Sequence, residues 1–323
     1  MTSPSADERS DTPATSANQR ADTPATSADG RFAPSPTGPL HLGSLRTALV
    51  AWLFARSQNA RFLVRVEDLD PLRSRPEFER SQLEDLAALG LDWDAPPVRQ
   101  SERRPLYEAA LERLADAGRL YPCFCTRAEI REAASAPHGD LPEGSYPGTC
   151  RELTTAERRR RQAEGRPFAL RLRAEAEPIG FDDLLLGPRS AMVDDFVVRR
   201  ADGVPAYQLA VVVDDAAQGI NEVVRGADLA DSTPRQILLS RLLNLRTPRY
   251  AHVGLVLGAD GARLAKRHGS VTLAERDEPV TSTLEMLARS LNITLPRAPQ
   301  SAADLLPHFS REQLTPTPLV VRS

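Results

Sequence analysis

Residues 31–58 read RFAPSPTGPLHLGSLRTALVAWLFARSQ, and three textures follow one another in them. RFAP is a short apolar strand end. SPTGPLHLG is a loop punctuated by prolines and glycines. LRTALVAWLFARSQ carries apolar residues at helical spacing. Directly afterwards, RFLVRVED at 61–68 reads as a strand ending in two carboxylates. Helices follow at 76–90 and 105–118, each opened by proline and closed by glycine.

Strand, helix, strand, helix is the pattern of a parallel sheet with crossover helices. The expected class is therefore α/β, a Rossmann-type parallel sheet with helices on both faces. From about residue 121 the pattern breaks. Cysteines, glycines and prolines intervene, with the run ERRRR at 157–161 and then strand-like FALRLR at 168–173. Apolar strands are expected again in DDFVVRR, AYQLAVVVDD and NEVVRG. A helix at 234–244 then leads to the strand-like HVGLVLG at 252–258. The spacing divides the chain into two halves of one α/β domain, 31–120 and 191–275. An insertion at 121–190 separates them, and a short segment, 276–323, follows. Residues 1–30 contain DTPATSA twice, at 11–17 and 22–28. Such a low-complexity tail cannot bury enough surface to offset its ordering entropy, so disorder is expected there.

The chain has 323 residues, 41% apolar and 26% charged, the composition of a globular protein. A formal charge of −3 gives no global electrostatic case for nucleic acid, although a local basic face is compatible with it. No run approaches the roughly 18 apolar residues of a membrane span, and the first thirty residues lack the apolar stretch of a secretory signal. A cytoplasmic monomer without membrane contact is the expectation.

Ligands of an open parallel sheet bind outside the carboxyl ends of its strands, near helix N-termini. Three features fall at such places. In PSPTGPLHLGS, glycines allow close backbone approach, the helix start favours phosphate, and His41 is a donor to a phosphate oxygen. Read blandly, this is a proline-rich loop with a capping serine. Glu67, Asp68 and Asp70 follow the strand FLVRV, where carboxylates hold an ammonium, a sugar hydroxyl or Mg²⁺; the bland reading is a solvated turn. The third feature is GARLAKR at 261–267. Of 41 cationic side chains, Lys266 is the single lysine. Lysine is a compact charge on a flexible stem, able to follow a moving phosphoryl group where the arginine fork is rigid.

Cys123, Cys125 and Cys150 cluster in the expected insertion and supply three thiolates. Tetrahedral zinc wants a fourth ligand, and ligand chemistry alone nominates His138. The basic stretch Arg158–Arg161, with Arg151, Arg171 and Arg173 nearby, offers phosphate contacts to a nucleic acid. Interspersed Glu152, Glu157 and Glu164 equally describe a solvated helix face.

In combination, HLGS at 41–44 and RLAKR at 263–267 resemble the two signatures of class I aminoacyl-tRNA synthetases, usually written HIGH and KMSKS. RFAPSPTGPLHLGSLRTAL, VEDLD and VVRGADLADSTPRQ look like the glutamyl branch in particular, across roughly 31–275. Ser44 stands where the signature has its second histidine; its hydroxyl is also a donor. The 57 residues after Lys266 are too few for the anticodon-binding region of full-length glutamyl enzymes. That shortened form resembles the glutamyl-Q tRNA(Asp) synthetase family, which attaches glutamate to the queuosine base at the wobble position of tRNA(Asp).

The resemblance implies that Arg31, Ala33, Ser35, Glu67, Tyr207 and Arg225 surround L-glutamate. It also implies that Pro34, His41, Gly43, Ser44 and Lys266 border ATP, with Mg²⁺ accompanying it. His41 and Lys266 are the expected catalytic residues for tRNA-independent formation of glutamyl-adenylate. The C-x-C with Y-x3-C pattern of the family nominates Tyr146 rather than His138 beside Cys123, Cys125 and Cys150 as ligands of one structural zinc. Two other readings stay open: an enzyme charging the tRNA 3′ end without reading an anticodon, and a non-catalytic paralogue binding tRNA or glutamate.

Overall fold

The computed structural model describes residues 28–126, 128–130, 146–258, 260–262, 272–315 and 318–320. The elements up to residue 99 are β1 (Gly30–Phe32), α1 (Leu42–Arg56), β2 (Phe62–Val66), α2 (Pro76–Ala88) and β3 (Val98–Arg99). The three strands pair in parallel in the order β1-β2-β3. Eleven of the fifteen α1 residues are buried. A helix apolar on every side needs cover on every side. The sheet supplies one side, and the end of the chain supplies another.

Next come α3 (Arg104–Asp116), β4 (Leu120–Cys123), α4 (Thr155–Ala163), β5 (Ala169–Leu172), β6 (Pro178–Asp183), β7 (Gly187–Met192) and β8 (Val197–Arg199). Strands β4, β5 and β8 form a small antiparallel sheet. The remaining elements are α5 (Tyr207–Gln218), β9 (Glu222–Gly226), α6 (Thr233–Leu242), β10 (Arg249–Val253), β11 (Val256–Leu257), α7 (Val280–Ser290) and β12 (Leu319–Val320). The second main sheet has the order β7-β6-β10-β9, parallel except for the edge strand β7. Thus β6 and most of β7, which fall in the stretch read as an insertion, share a sheet with β9 and β10.

The two main sheets abut where Asn221 and Glu222 donate their amides to Asp29 O, at 2.9 and 3.1 Å. The resulting succession is β3-β2-β1-β9-β10, whose direction of growth reverses between β1 and β9. That reversal opens the crevice in which doubly wound sheets bind ligands. The α/β architecture with a parallel sheet and helices agrees with the expectation from sequence.

Two local expectations fail. AYQLAVVVDD is helix α5, not a strand. Its run of valines favours a strand in isolation, but residues 209–215 are all buried, because α5 packs against α3, α6 and β8. Burial on consecutive positions overrides propensity, and Gly219, at φ 72°, closes the helix in the left-handed region. Order also begins before Arg31. Ala28 and Asp29 are buried, and Asp29 pairs with Arg61 at 2.7 Å. The rest of the expected tail, residues 1–27, lies outside the described residues.

The last segment is fastened to the second main sheet and to α1. Arg311 reaches both carboxylate oxygens of Glu222 at the start of β9, at 2.5 and 3.1 Å, with its guanidinium 4.2 Å from the Phe54 ring of α1. Arg46 of α1 donates to Gly254 O and to Ser290 of α7. Among the described residues, no helix is long and apolar enough to cross a membrane.

Candidate active site and metal centre

A cavity of about 560 Å³ lies over the β1–β9 junction. Arg31, Ala33, Pro34, Ser35, His41, Gly43, Ser44, Glu67, Tyr207 and Arg225 all line it. Every residue assigned from sequence to glutamate or ATP borders this one space, except Lys266, which lies outside the described residues. Thr272, six positions beyond Lys266, forms a β-bridge with His41.

The loop between β1 and α1 is held by its backbone. Gln82 of α2 donates to Ser35 O and Gly38 O at 3.0 and 2.7 Å, and the amides of Glu67 and Arg75 donate to Pro34 O and Pro36 O. His41 caps α1, its Nδ1 accepting the Ser44 amide at 3.2 Å. With Nδ1 as acceptor, the proton of a neutral ring sits on Nε2, and the Ser44 hydroxyl lies 3.2 Å from that atom. A Cβ on residue 43 would come within 3.1 Å of the His41 ring. Glycine at this position lets the imidazole fold back over the helix start.

Charge beneath the cavity is organised around two aspartates at the end of α5. Asp215 accepts from Arg31 Nε at 3.2 Å and from Arg65 at 2.7 Å. Asp214, fully buried, accepts from Gln100, Tyr107 and Arg103 at 2.8, 2.8 and 2.6 Å. Arg65 also reaches Glu67 at 3.3 Å. Burial pushes the Glu67 carboxyl above its ordinary range, against the pull of Arg65 and Arg31.

Arg225 has different surroundings. It is 4% exposed, and it donates to His252 Nε2 at 3.0 Å, Gln236 Oε1 at 2.8 Å and Thr233 Oγ1 at 2.8 Å. Longer contacts reach Tyr207 Oη at 3.4 Å and Leu229 O at 3.3 Å. Among the described residues none of these acceptors is a carboxylate: Arg31 pairs directly with Asp215, whereas the carboxylate of Asp183 reaches Arg225 only through the His252 ring. Burial first, with the Arg225 charge adding to it, holds the His252 pKa below the usual histidine value against the opposing pull of Asp183. Its imidazole is therefore a neutral acceptor. Tyr207 is 37% exposed and rims the same space.

Sequence reasoning passed over Arg65, Asp214, Asp215, His252 and Asp183. The paired aspartates closing an apolar run were a usable signal, hidden by reading that run as a strand. Nothing local marks His252 or Asp183.

The three cysteine sulfurs lie within 4.8 Å of one another. A tetrahedral ion with Zn–S bonds of about 2.3 Å holds sulfurs roughly 3.8 Å apart, so the cluster fits a small thiophilic metal. Tyr146 Oη sits 3.4 Å from Cys123 Sγ and 3.7 Å from Cys125 Sγ, while His138 lies outside the described residues. Hydrogen bonding from Cys150 first, then from Tyr146 and Arg171, outweighs desolvation and brings the Cys123 thiol down to about 4. The Phe124 amide points at Cys150 Sγ at 3.4 Å. Many nearby arginines are engaged within the fold. Arg171 stacks 3.7 Å over the Tyr146 ring, Arg158 and Arg173 donate to Arg151 O, and Arg151 pairs with Asp195 at 2.7 Å. Arg159 and Arg160 are exposed on α4, the latter 3.7 Å from Glu164.

Residues 28–294 match the catalytic domain of class I tRNA synthetases for glutamate and glutamine (E and Q). The chain is 56% identical over 292 residues to the glutamyl-Q tRNA(Asp) synthetase of Nocardia farcinica, covering 90% of this chain and 92% of that one. It is 46% identical over 254 residues to the glutamate–tRNA ligase of Geobacter sulfurreducens, spanning 76% of this chain and 53% of that one. In three dimensions it resembles a glutamate tRNA ligase from Elizabethkingia meningosepticum crystallised with its amino acid. The TM-score is 0.77 at 28% identity, with 91% of this chain and 66% of that one superposed. With the site at the switch point of the sheet and the match running through both of its halves, the chain belongs to the class I tRNA synthetases for glutamate and glutamine, in the glutamyl-Q tRNA(Asp) synthetase family.

Proposed function

We propose that this ligase activates L-glutamate with ATP, without needing tRNA, and transfers the glutamyl group to the queuosine base at the wobble position of tRNA(Asp). The observation that carries the reading is Arg225, a buried guanidinium whose described partners are all neutral. A buried cation with no carboxylate directly on it is costly, and an incoming side-chain carboxylate supplies that direct partner. It would replace the two long contacts, to Tyr207 and Leu229, by a bidentate pair. Arg31, Ala33 and Ser35 line the same cavity. Glu67 takes the α-ammonium, which offsets the unfavourable burial of its carboxylate.

So held, the α-carboxylate of glutamate faces ATP bordered by Pro34, Gly43 and Ser44. It attacks the α-phosphorus and expels pyrophosphate. His41, the α1 N-terminus and Lys266 stabilise the charge gathering on the phosphate oxygens, and Mg²⁺ accompanies the nucleotide. The bridge between His41 and Thr272 supports this role for the Lys266 segment. A hydroxyl of the acceptor base then attacks the activated carbonyl and displaces AMP.

Cys123, Cys125, Tyr146 and Cys150 would hold one zinc, which crosslinks the segment around β4 when bound. Four protein ligands leave no open position, so the role is structural. Residues 121–190 would meet the tRNA, with Arg159 and Arg160 as the phosphate contacts, and the chain would act as a monomer.

The similarity to a glutamate–tRNA ligase favours a second reading, esterification of the tRNA 3′ end. Labelled glutamate, ATP and tRNA(Asp) from queuosine-containing or queuosine-free cells separate the two. Label is expected only with queuosine present. Equal incorporation into both tRNAs would overturn the modified-base assignment.

A further inference from the structure

Strands β9, β10 and β6 lie side by side, and one residue from each forms a buried chain. Arg225 and His252 are cross-strand partners in the β9–β10 register. Arg225 Nε donates to His252 Nε2 at 3.0 Å, and His252 Nδ1 lies 2.5 Å from Asp183 Oδ2. The other Asp183 oxygen accepts the amides of Leu185, Leu186 and His252 at 3.0, 2.9 and 3.2 Å. The His252 ring is fixed in place by Tyr250, stacked at 6.2 Å, and by the edge of Phe181 at 6.4 Å.

This chain admits one proton arrangement. The Nε of a guanidinium always bears hydrogen, so Nε2 of His252 must present its lone pair. The single proton of the neutral ring then sits on Nδ1, facing a carboxylate that is acceptor-only. Asp183 thereby dictates the tautomer of His252, and His252, together with Gln236 on Nη1 and Thr233 on Nη2, sets how the guanidinium plane is rolled. With Nε occupied, Nη1 and Nη2 each keep one short bond, to Gln236 and Thr233, and one long contact, to Tyr207 and Leu229; the long pair is what an incoming carboxylate can replace.

We propose that Asp183 and His252 are positioning residues for the amino-acid substrate, orienting the Nη edge of Arg225 towards the glutamate side chain without placing a carboxylate directly on it. The proposal rests on the reading that Arg225 receives that side-chain carboxylate. A counter-charge placed directly on Arg225 would compete with the substrate. A neutral imidazole between Arg225 and Asp183 orients without competing.

Asp183→Asn tests the relay. If the amide oxygen keeps the three backbone amides, its NH₂ faces Nδ1. The ring proton must then move to Nε2, against the N–H of Arg225. Calorimetric titration of the full chain with L-glutamate should show affinity roughly tenfold or more weaker, the effect of one charge-assisted hydrogen bond. ATP affinity should stay within about twofold, since the relay touches no nucleotide group. In the ¹⁵N histidine spectrum, assigned by loss of the signal in His252→Gln, the protonated nitrogen should switch from Nδ1 to Nε2. His252→Gln offers both an acceptor and a donor and should bind glutamate better than His252→Phe, which offers neither. That pair keeps the test open should Asp183→Asn not fold.

Unchanged glutamate affinity in Asp183→Asn with the proton moved would overturn the relay. So would equal losses for glutamate and ATP, or His252→Phe matching His252→Gln. An Arg225→Lys variant separates this failure from failure of the underlying reading. If it binds glutamate normally, Arg225 is not the anchor; if it alone is impaired, the anchor stands and only the relay falls.

Discussion

Replacing Arg225 by methionine removes a buried cation whose described hydrogen-bond partners are all neutral, while keeping an unbranched side chain in its place. Two opposing terms follow in the ligand-free protein. His252 Nε2, Gln236 Oε1 and Thr233 Oγ1 each lose a donor at 2.8 to 3.0 Å, and an unmet buried polar group costs about 1–3 kcal/mol. Relief from burying a charge offsets this by a comparable amount. The net change in stability is expected to stay below about 2 kcal/mol. Glutamate binding should change far more, because truncating one partner of a desolvated charge pair costs about 3–5 kcal/mol. That is a weakening of roughly a hundredfold to several thousandfold. The assay is a thermal melt with and without glutamate. At a hundred times its dissociation constant a ligand stabilises by about 2.7 kcal/mol, which for a chain of this size raises Tm by roughly 5 °C. The wild type should show that shift and Arg225→Met should not, at the same glutamate concentration. An undiminished shift in the variant would refute the idea that this guanidinium anchors the substrate. A ligand-free loss well above 4 kcal/mol would recast it as a keystone of the fold.

Asp215→Asn should cost about 3 kcal/mol of folding stability, since Arg31 and Arg65 share that one carboxylate; urea titration measures it, and a change below about 0.5 kcal/mol would show that the two arginines do not depend on it. Lys266→Ala should lower glutamate-dependent ATP–pyrophosphate exchange by about a hundredfold or more with an unaltered melting curve, and near-normal exchange would remove Lys266 from the chemistry. Purified without chelator, the chain should carry about one zinc by elemental analysis, and Cys150→Ser should lose most of it together with thermal stability; a metal content near zero in the wild type would sink the metal site. Burial first, with Glu84 nearby, raises the Asp85 carboxyl to about 6. The folded state then binds its proton more tightly than the unfolded chain does, so stability declines as pH rises from about 4 through 6. Asp85→Asn should raise Tm at pH 8 relative to wild type and confer no gain at pH 4, as paired melts would register.

Much of the site could be read from residue order alone. RFAPSPTGPLHLGS announces a strand, a tight loop and a helix start, and short-range rules suffice for that because its prolines and glycines act locally. Arg31, His41, Glu67, Tyr207 and Arg225 were nominated by motif, and all five border one cavity. The cysteines declared themselves by spacing. The valine run before Asp214 misled, because propensity describes an isolated segment, whereas α5 is surrounded by α3, α6 and β8.

What sequence by itself determined is the alternation of elements, the helix boundaries set by proline and glycine, and the residue types available for phosphate, carboxylate and metal. These depend on covalent geometry and on neighbours a few positions away. Only the tertiary structure decided which charges cancel. Arg31 and Arg225 look equivalent as letters, yet one meets Asp215 and the other meets Gln236, Thr233 and His252. That difference arises from strand order and register across β6, β10, β9 and β1 and from the placement of α5 and α6, which bring together residues as far apart as Arg31 and Asp215. Electrostatic pairing acts through space at a few ångströms, and no local pattern in the chain encodes it.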